Sequence, residues 1–313
     1  MSAKVARDLI PHTPVLYQEI ILAIRPKSPG LYFDGTVGAG GHAYGILEAS
    51  QPDGQLLALD VDPQALAIAR QRLSPFGERV TLVQASYTTL DEQMRLKGWS
   101  AVNGLVLDLG LSSMQLDTPE RGFSFQADGP LDMRFNPGQA LSASELVNDL
   151  PEAELANLIW QAGEEPHSRK IARAIVNSRP ISTTRQLAEL IERVSGGRRG
   201  KIHPATRTFQ ALRIAVNEEL QGLATVLPKA LTALIPGGRT AIIAFHSLED
   251  RLVKQFIKRE SLDCICPPDQ PVCTCDHKAT LKIITRHAIQ ASEAEKETNS
   301  RARSARLRVF EKM

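Results

Sequence analysis

Three short, largely apolar runs in the first third of the chain each stop at an aspartate. Leu31-Tyr32-Phe33 ends at Asp34, the run from Gln55 to Leu59 at Asp60, and the run from Gly104 to Leu107 at Asp108. Runs this short predict strands buried on both faces rather than helices. Segments of helical period lie between them. A Gly-rich turn after Asp34 leads into a helix through about Ser50, and Pro63 to Leu73 places Ala65, Leu66, Ala69 and Leu73 on one face. Val80 to Val83 predicts another strand and Thr89 to Lys97 another helix. Strands alternating with helices imply right-handed crossovers and a mostly parallel sheet. No internal repeat or low-complexity tract interrupts this rhythm.

The rhythm breaks after Asp108. The stretch from about Thr118 to Pro137 is rich in Gly, Pro and charge and reads as a long loop. From Ser142 to roughly Arg213 the pattern is helical only, with Leu187, Leu190, Ile191 and Val194 at helical spacing behind the capping candidates Thr183 and Thr184. Strands return at Thr240 to Phe245, after the turn Pro236-Gly237-Gly238, and again at Leu281 to Thr285 and Ala305 to Phe310. The expected architecture is therefore an α/β domain over 1–137 and 216–313, interrupted by an all-helical insertion over 138–215. At 313 residues with 42% hydrophobic side chains, the chain is long enough for both. No apolar run is long enough for a signal peptide or a bilayer span, so a cytoplasmic protein with no membrane partner is expected.

The segment Asp34-Gly35-Thr36-Val37-Gly38-Ala39-Gly40-Gly41-His42 joins a strand to a helix. Glycines there permit a sharp turn and close approach of a ligand, although a tight turn alone needs the same residues. Asp60, at the end of the next strand, adds a carboxylate able to accept from both hydroxyls of an adenosine ribose. A dinucleotide site usually spells G-x-G-x-x-G. Here the spacing is Gly38-x-Gly40-Gly41 behind an acid, which favours S-adenosylmethionine, with its cationic sulfonium, over two phosphates. Tyr87 and Asp108 end further strands at the edge where ligands of open α/β sheets bind. Tyr87 can stack on adenine or be an ordinary half-buried aromatic, and Asp108 can face the methionine end or a target amine.

With 37 basic and 35 acidic residues the net charge is only +2, so any nucleic-acid surface must be local. Six basic residues and no acid lie between Arg193 and Arg213. Among them Arg198, Arg199, Lys201 and Arg207, with Gly196, Gly197 and Gly200, suit a flexible phosphate-contacting loop. Arg301, Arg303, Arg306 and Arg308 form a second group, some of it structural. Phe123, Phe125 and Phe135 can stack on an exposed base, with core packing the competing role. His246, near Glu249, Asp250 and Arg251, invites a general-base reading against a helix-capping one. Cys264, Cys266, Cys273 and Cys275 are the chain's only cysteines. Four clustered thiols suggest zinc, although C-x-C arms are tighter than C-x-x-C, and a loop of reduced thiols is the alternative.

Several ordered segments carry a family likeness. They are His12-Thr13-Pro14-Val15-Leu16, Asp34 to His42, Asp108 to Asp117, Glu120 to Phe125, Asp128 to Arg134, His203 to Leu220, Phe245 to Arg251 and Arg303 to Arg308. The set resembles the small-subunit ribosomal RNA methyltransferase H family, the MraW-like 16S rRNA cytosine-N4 methyltransferases. Met114 departs from the proline of many members and bears on the stiffness of what is read as a loop. The resemblance implies a Rossmann-like S-adenosylmethionine methyltransferase domain whose helical insertion recognises substrate. It also implies cofactor contacts at Gly40, Gly41, His42, Asp60, Tyr87, Asp108 and Gln115. The implied partner is 16S rRNA of the small ribosomal subunit, with the enzyme a monomer or homodimer.

Exocyclic N4 of cytosine is a poor nucleophile because its lone pair is delocalised into the ring. Many amine methyltransferases hold such an amine with an Asp/Asn-Pro-Pro-aromatic run, whereas this chain reads Asp108-Leu-Gly-Leu. The expected hydrogen-bond acceptor is Asp108 or Asp132, against a purely structural role for each. Competing functions are a NAD-dependent oxidoreductase, a non-catalytic RNA-binding relic, and methylation of another RNA or DNA amine.

Overall fold

The computed structural model describes residues 14–197, 203–267, 270 and 272–313. The chain divides into two units, Met1–Gly110 with Gln221–Met313, and Leu111–Leu220. The second unit is longer than the expected insertion of 138–215. It begins immediately after the strand that ends at Asp108 and takes in the Gly/Pro-rich segment before residue 138.

The first unit is built on seven strands: β1 Leu31–Asp34, β2 Gln55–Asp60, β3 Val80–Gln84, β4 Val102–Asp108, β5 Leu234–Ala244, β6 Leu281–Ile283 and β7 Arg306–Lys312. They form one sheet in the order β3-β2-β1-β4-β5-β7-β6. All neighbours from β3 to β5 run parallel, and β7 pairs antiparallel with both β5 and β6. Its helices are α1 Tyr17–Ile24, α2 Gly41–Ala49, α3 Pro63–Leu73, α4 Leu90–Leu96, α5 Glu219–Ala233, α6 Ser247–Glu260 and α7 Glu293–Thr298, with α5 starting two residues before the unit boundary. The helices cover both faces of the sheet. One apolar cluster gathers Ile20, Ile46, Leu47 and Leu73 with Tyr32 and Val106, and the other gathers Leu90, Leu223 and Val253 with Phe33, Leu105 and Leu107. Alternate residues of each strand thus serve opposite cores, so the strand runs read as continuously apolar.

Local signals account for the helix starts. Asp62 caps α3 by accepting from the Gln64 amide at 2.9 Å, and Pro63 follows at the position where a missing amide proton costs nothing. The antiparallel β7 is fixed by a cross-strand pair, Arg239 against Glu311 at 2.9 Å, and the same guanidinium donates to the Ala23 carbonyl. β5 starts earlier than Thr240, at Leu234. The strand continues across Pro236-Gly237-Gly238, but the register with β4 slips there, from Val102 opposite Leu234 to Gly104 opposite Arg239. The expected turn is an irregularity inside a longer strand.

The second unit packs helices 143–149, 152–163, 168–177, 184–194 and 206–216 around Leu155, Ile159, Ile171, Ile175, Leu187, Ile191 and Leu212. Thr183 caps the fourth of these through the Gln186 amide, as its position ahead of the apolar stripe predicts. Met114 lies in a short helix, Ser113–Asp117, not a loop. Ser112 and Gln115 close a reciprocal capping box there. No helix among the described residues is long and apolar enough to cross a membrane.

Candidate active site

The strand order reverses beside β1. The chain builds β1, β2 and β3 outward in one direction, then returns to place β4 on the other flank of β1. The helices leaving the two sides diverge at such a switch point and open a crevice beyond the carboxyl ends of the strands. Asp34, Asp60 and Asp108 are the last residues of the three adjacent strands there. Asp34 is level with Ala58 and Val106, so Asp60 and Asp108 stand one pleat further out on either side of the loop that leaves β1.

That loop is pinned from both flanks. Gly35 donates to the Val106 carbonyl at 3.0 Å, Val37 to Leu59 at 2.8 Å, and Gly38 to Asp60 Oδ2 at 2.8 Å. Thr36 Oγ1 accepts from the Asp108 amide at 2.7 Å. Gly38 and Gly40 adopt φ of 51° and 79°, where a Cβ is strained, and a Cβ on Gly41 would run into the Pro14 ring. The glycines are therefore required by the turn itself as well as by close approach.

Asp34 is 1% exposed, and its Oδ1 accepts from the Thr36 amide. Burial pushes its carboxyl up to about 7, with the Asp108 and Asp60 carboxylates adding to the rise. Burial also raises Asp60, although the Asp62 and Gly38 amides pull it down. These two bonds, at 2.9 and 2.8 Å, use one lone pair on each Asp60 oxygen. A carboxylate has about four acceptor sites, so the pair of hydroxyls on a ribose can still be served. Burial raises Asp108 in turn, opposed by His42 and Arg301. Asp108 Oδ1 is shielded from solvent and has no hydrogen-bond partner among the described residues. Three crowded, partly desolvated carboxylates favour a cation between them. A cofactor with a sulfonium and an ammonium fits that donor set, whereas a pyrophosphate would add to the repulsion.

His42 is 5% exposed on the first turn of α2. Its Nε2 lies 3.0 Å from the Val15 carbonyl, an acceptor only, so Nε2 carries the proton. Nδ1 then faces Asp108 Oδ2 at 3.7 Å. Tyr87 is half-buried on the turn after β3, and its ring packs against the core cluster beneath Gly35 and Gly222. The sequence signals missed Thr36, which buttresses Asp108, and Arg301, which reaches Asp108 electrostatically and lies over the Phe245 ring at 5.6 Å. The hydroxyl in the glycine loop was a usable signal for Thr36. None existed for Arg301, since only the fold returns that segment to the site.

The remaining candidates divide clearly. Gln115 belongs to the second unit and is buried in its capping box, where Oε1 accepts from the Ser112 amide at 3.0 Å. Asp132, also in that unit, has both oxygens engaged by Arg134 at 2.6–3.1 Å. Burial pushes its carboxyl up, but the guanidinium outweighs this and holds it below the usual range. His246 caps α6 through the Glu249 amide. Its Nε2 lies 3.2 Å from Glu249 Oε1 without hydrogen-bond geometry, so the capping reading holds. Phe123 stacks on Phe135 at 5.5 Å and Phe125 packs on Phe209 at 4.9 Å, both within the helical core.

Of the basic groups, Arg213 sits on the helix 206–216 and pairs with buried Glu219 at 2.7 Å, so it is no part of a loop. Arg308 and Arg306 clamp Asp250 at 2.6 and 3.3 Å and are structural. Arg207 is half exposed near Glu165. Arg198, Arg199 and Lys201, like His12 and Thr13 of the family likeness, lie outside the described residues. The four cysteine sulfurs converge on the segment between α6 and β6.

A mostly parallel sheet reversing at β1, with a glycine loop and acids at its carboxyl edge, defines a Rossmann-like methyltransferase fold. A model of the MraW methylase family matches residues 9–313. The ribosomal RNA small subunit methyltransferase H of Dehalococcoides mccartyi is 52% identical over 303 residues, 97% of this chain and 87% of that one. The proteins of the same name from Heliobacterium mobile and Thermomicrobium roseum are 49% and 50% identical over 310 and 305 residues, each covering 96% of this chain, with 99% and 94% of their own length matched. The chain belongs to the MraW methylase family.

Proposed function

We propose that this protein transfers a methyl group from S-adenosylmethionine to the exocyclic N4 of a cytidine in 16S rRNA of the small ribosomal subunit. The observation that carries the cofactor assignment is the triad of carboxylates, Asp34, Asp60 and Asp108, around the pinned glycine loop at the switch point. The relatives' names support small-subunit rRNA as the substrate.

When bound, the cofactor supplies an electrophilic methyl group on sulfur. Gly40 and Gly41, at the start of α2, would offer it backbone rather than side chains, Asp60 would accept from the ribose hydroxyls, and the exposed part of Tyr87 would flank the adenine. The family resemblance also assigns Gln115 to the cofactor contacts. His42, fixed by the Val15 carbonyl, places its Nδ1 3.7 Å from Asp108 Oδ2. Asp108 accepts a hydrogen bond from N4, which directs the nitrogen lone pair at the methyl carbon. On methylation N4 would have to lose a proton, and the Asp108 carboxyl, raised by burial, would be a competent acceptor for it. Asp132 is the second candidate for that role, and its Arg134 pair argues for shaping its own loop instead. The second unit recognises the RNA, with Arg198, Arg199, Lys201 and Arg207 on its phosphates.

Two measurements test this reading. Calorimetry should show binding of S-adenosylmethionine and none of NAD. Mass spectrometry of 16S rRNA nucleosides from cells with and without the gene should show loss of an N4-methylated cytidine. Unchanged nucleosides would sink the substrate assignment, and failure to bind the cofactor would sink the whole reading.

A further inference from the structure

We infer that Cys264, Cys266, Cys273 and Cys275 form a closed, structural zinc site. Their four sulfurs lie within 4.8 Å of one another. Cys264 to Cys273 is 3.4 Å, Cys273 to Cys275 is 3.6 Å, Cys275 to Cys264 is 3.8 Å and Cys266 to Cys273 is 4.0 Å. Tetrahedral coordination with Zn–S bonds of about 2.3 Å requires sulfurs about 3.8 Å apart, and the observed separations bracket that value. They are far too long for disulfides, whose sulfurs bond at about 2.0 Å. Each C-x-C arm contributes two corners, which answers the objection that such arms are tight.

The backbone is arranged for thiolates. The Ile265 amide donates to Cys275 Sγ, the Cys266 amide to Cys264 Sγ and the Thr274 amide to Cys266 Sγ, each at 3.4 Å. Amide donors disperse the negative charge that four thiolates keep after binding one dication. The converging ligand atoms are the four sulfurs alone, without His277, whose Nε2 lies 3.1 Å from the Arg259 carbonyl. With four sulfur ligands and no open position, the site suits structure rather than catalysis.

The fold also needs such a link. No described residue between 261 and 280 is buried, and Ile265 and Val272 are 38% and 70% exposed. Among the described residues of this connection no apolar anchor offsets its conformational entropy; the thiol cluster and a few hydrogen bonds, such as Ala279 to Asp263 and Thr280 to Glu260, do so instead. Metal binding there is folding energy for the segment that joins α6 to β6.

The test uses the full chain, purified under reducing conditions without chelator. Elemental analysis should find about one zinc per chain. Exchange with cobalt(II) should give thiolate-to-cobalt charge-transfer bands with the strong visible bands of a tetrahedral ion. A Cys264→Ser/Cys273→Ser double variant should lose the metal and become sensitive to proteolysis between α6 and β6, with S-adenosylmethionine binding unchanged. A native chain that holds no zinc and takes up no cobalt would overturn the site, as would zinc retained by the double variant. One iron per chain would overturn the assignment to zinc.

Discussion

Asp34 shows how a single side chain can be costly to the empty fold and useful to the loaded one. Its carboxyl titrates near 7 in the folded chain against an ordinary 3.8. A folded value above the unfolded one means that the group's contribution to stability is complete below about pH 3.8 and is lost as pH rises toward 7. The cofactor-free protein should therefore lose stability across that window, and Asp34→Asn should flatten the slope, as urea titrations at a series of pH values will show. A cationic ligand reverses the penalty, so affinity for S-adenosylmethionine should rise with pH through about 7. At Asp108 the expectation is chemical. Measured at saturating cofactor, Asp108→Asn should lose on the order of 10²-fold or more in turnover. Asp132→Asn, with its partner Arg134 still present, should lose far less. A single-turnover comparison of the two variants decides, and comparable losses would return Asp132 to the chemistry.

Elements meet the site through a few polar joints rather than through apolar packing alone. Asp250 on α6 is 7% exposed and accepts from Arg308 and Arg306 of β7, tying that helix to the antiparallel strand. Burial pushes its carboxyl up, but the two guanidiniums outweigh it and leave it lowered. Its contribution is thus present above the unfolded value and fades as pH falls through the folded one. Asp250→Ala leaves Arg308 nearly buried without its partner and should cost about 3 kcal/mol, read as a drop in midpoint denaturant. This joint also explains why Arg308, part of what looks like a nucleic-acid patch in the sequence, is unavailable for one. Arg301 behaves differently, because β7 carries its neighbourhood back toward Asp108.

At the scale of the whole molecule, the near-neutral charge demands that any RNA contacts be concentrated. The segment with Arg198, Arg199 and Lys201 is where the sequence concentrates them. Replacing all three with alanine should weaken binding to small-subunit rRNA and reduce the slope of log affinity against log salt by about two units, near 0.7–0.9 per lost phosphate contact. S-adenosylmethionine affinity should not change, since Asp34, Asp60 and Asp108 lie on other segments. Equal salt slopes for the native and substituted proteins would remove these residues from the interface.

Much of the fold is legible in the chain because its signals are local. Strand runs at 31–34, 55–60, 80–84 and 102–108 announce themselves by apolar content and by the residues that end them, and Asp62-Pro63 and Thr183 start their helices by short-range capping. The glycine loop is equally plain, since positive φ at Gly38 and Gly40 is a property of a few adjacent residues. Strand order, the antiparallel course of β7, the slip that hides a turn inside β5 and the extent of the second unit come from pairing across long separations, and no window of sequence contains them. The same holds for charge. Which of the C-terminal arginines are structural is settled only when the fold brings Asp250 against Arg306 and Arg308. Local chemistry thus chose the elements and the residue types at the sheet edge. Only tertiary contact decided which carboxylates would be desolvated together, because desolvation depends on what packs around a group and not on what adjoins it in the chain.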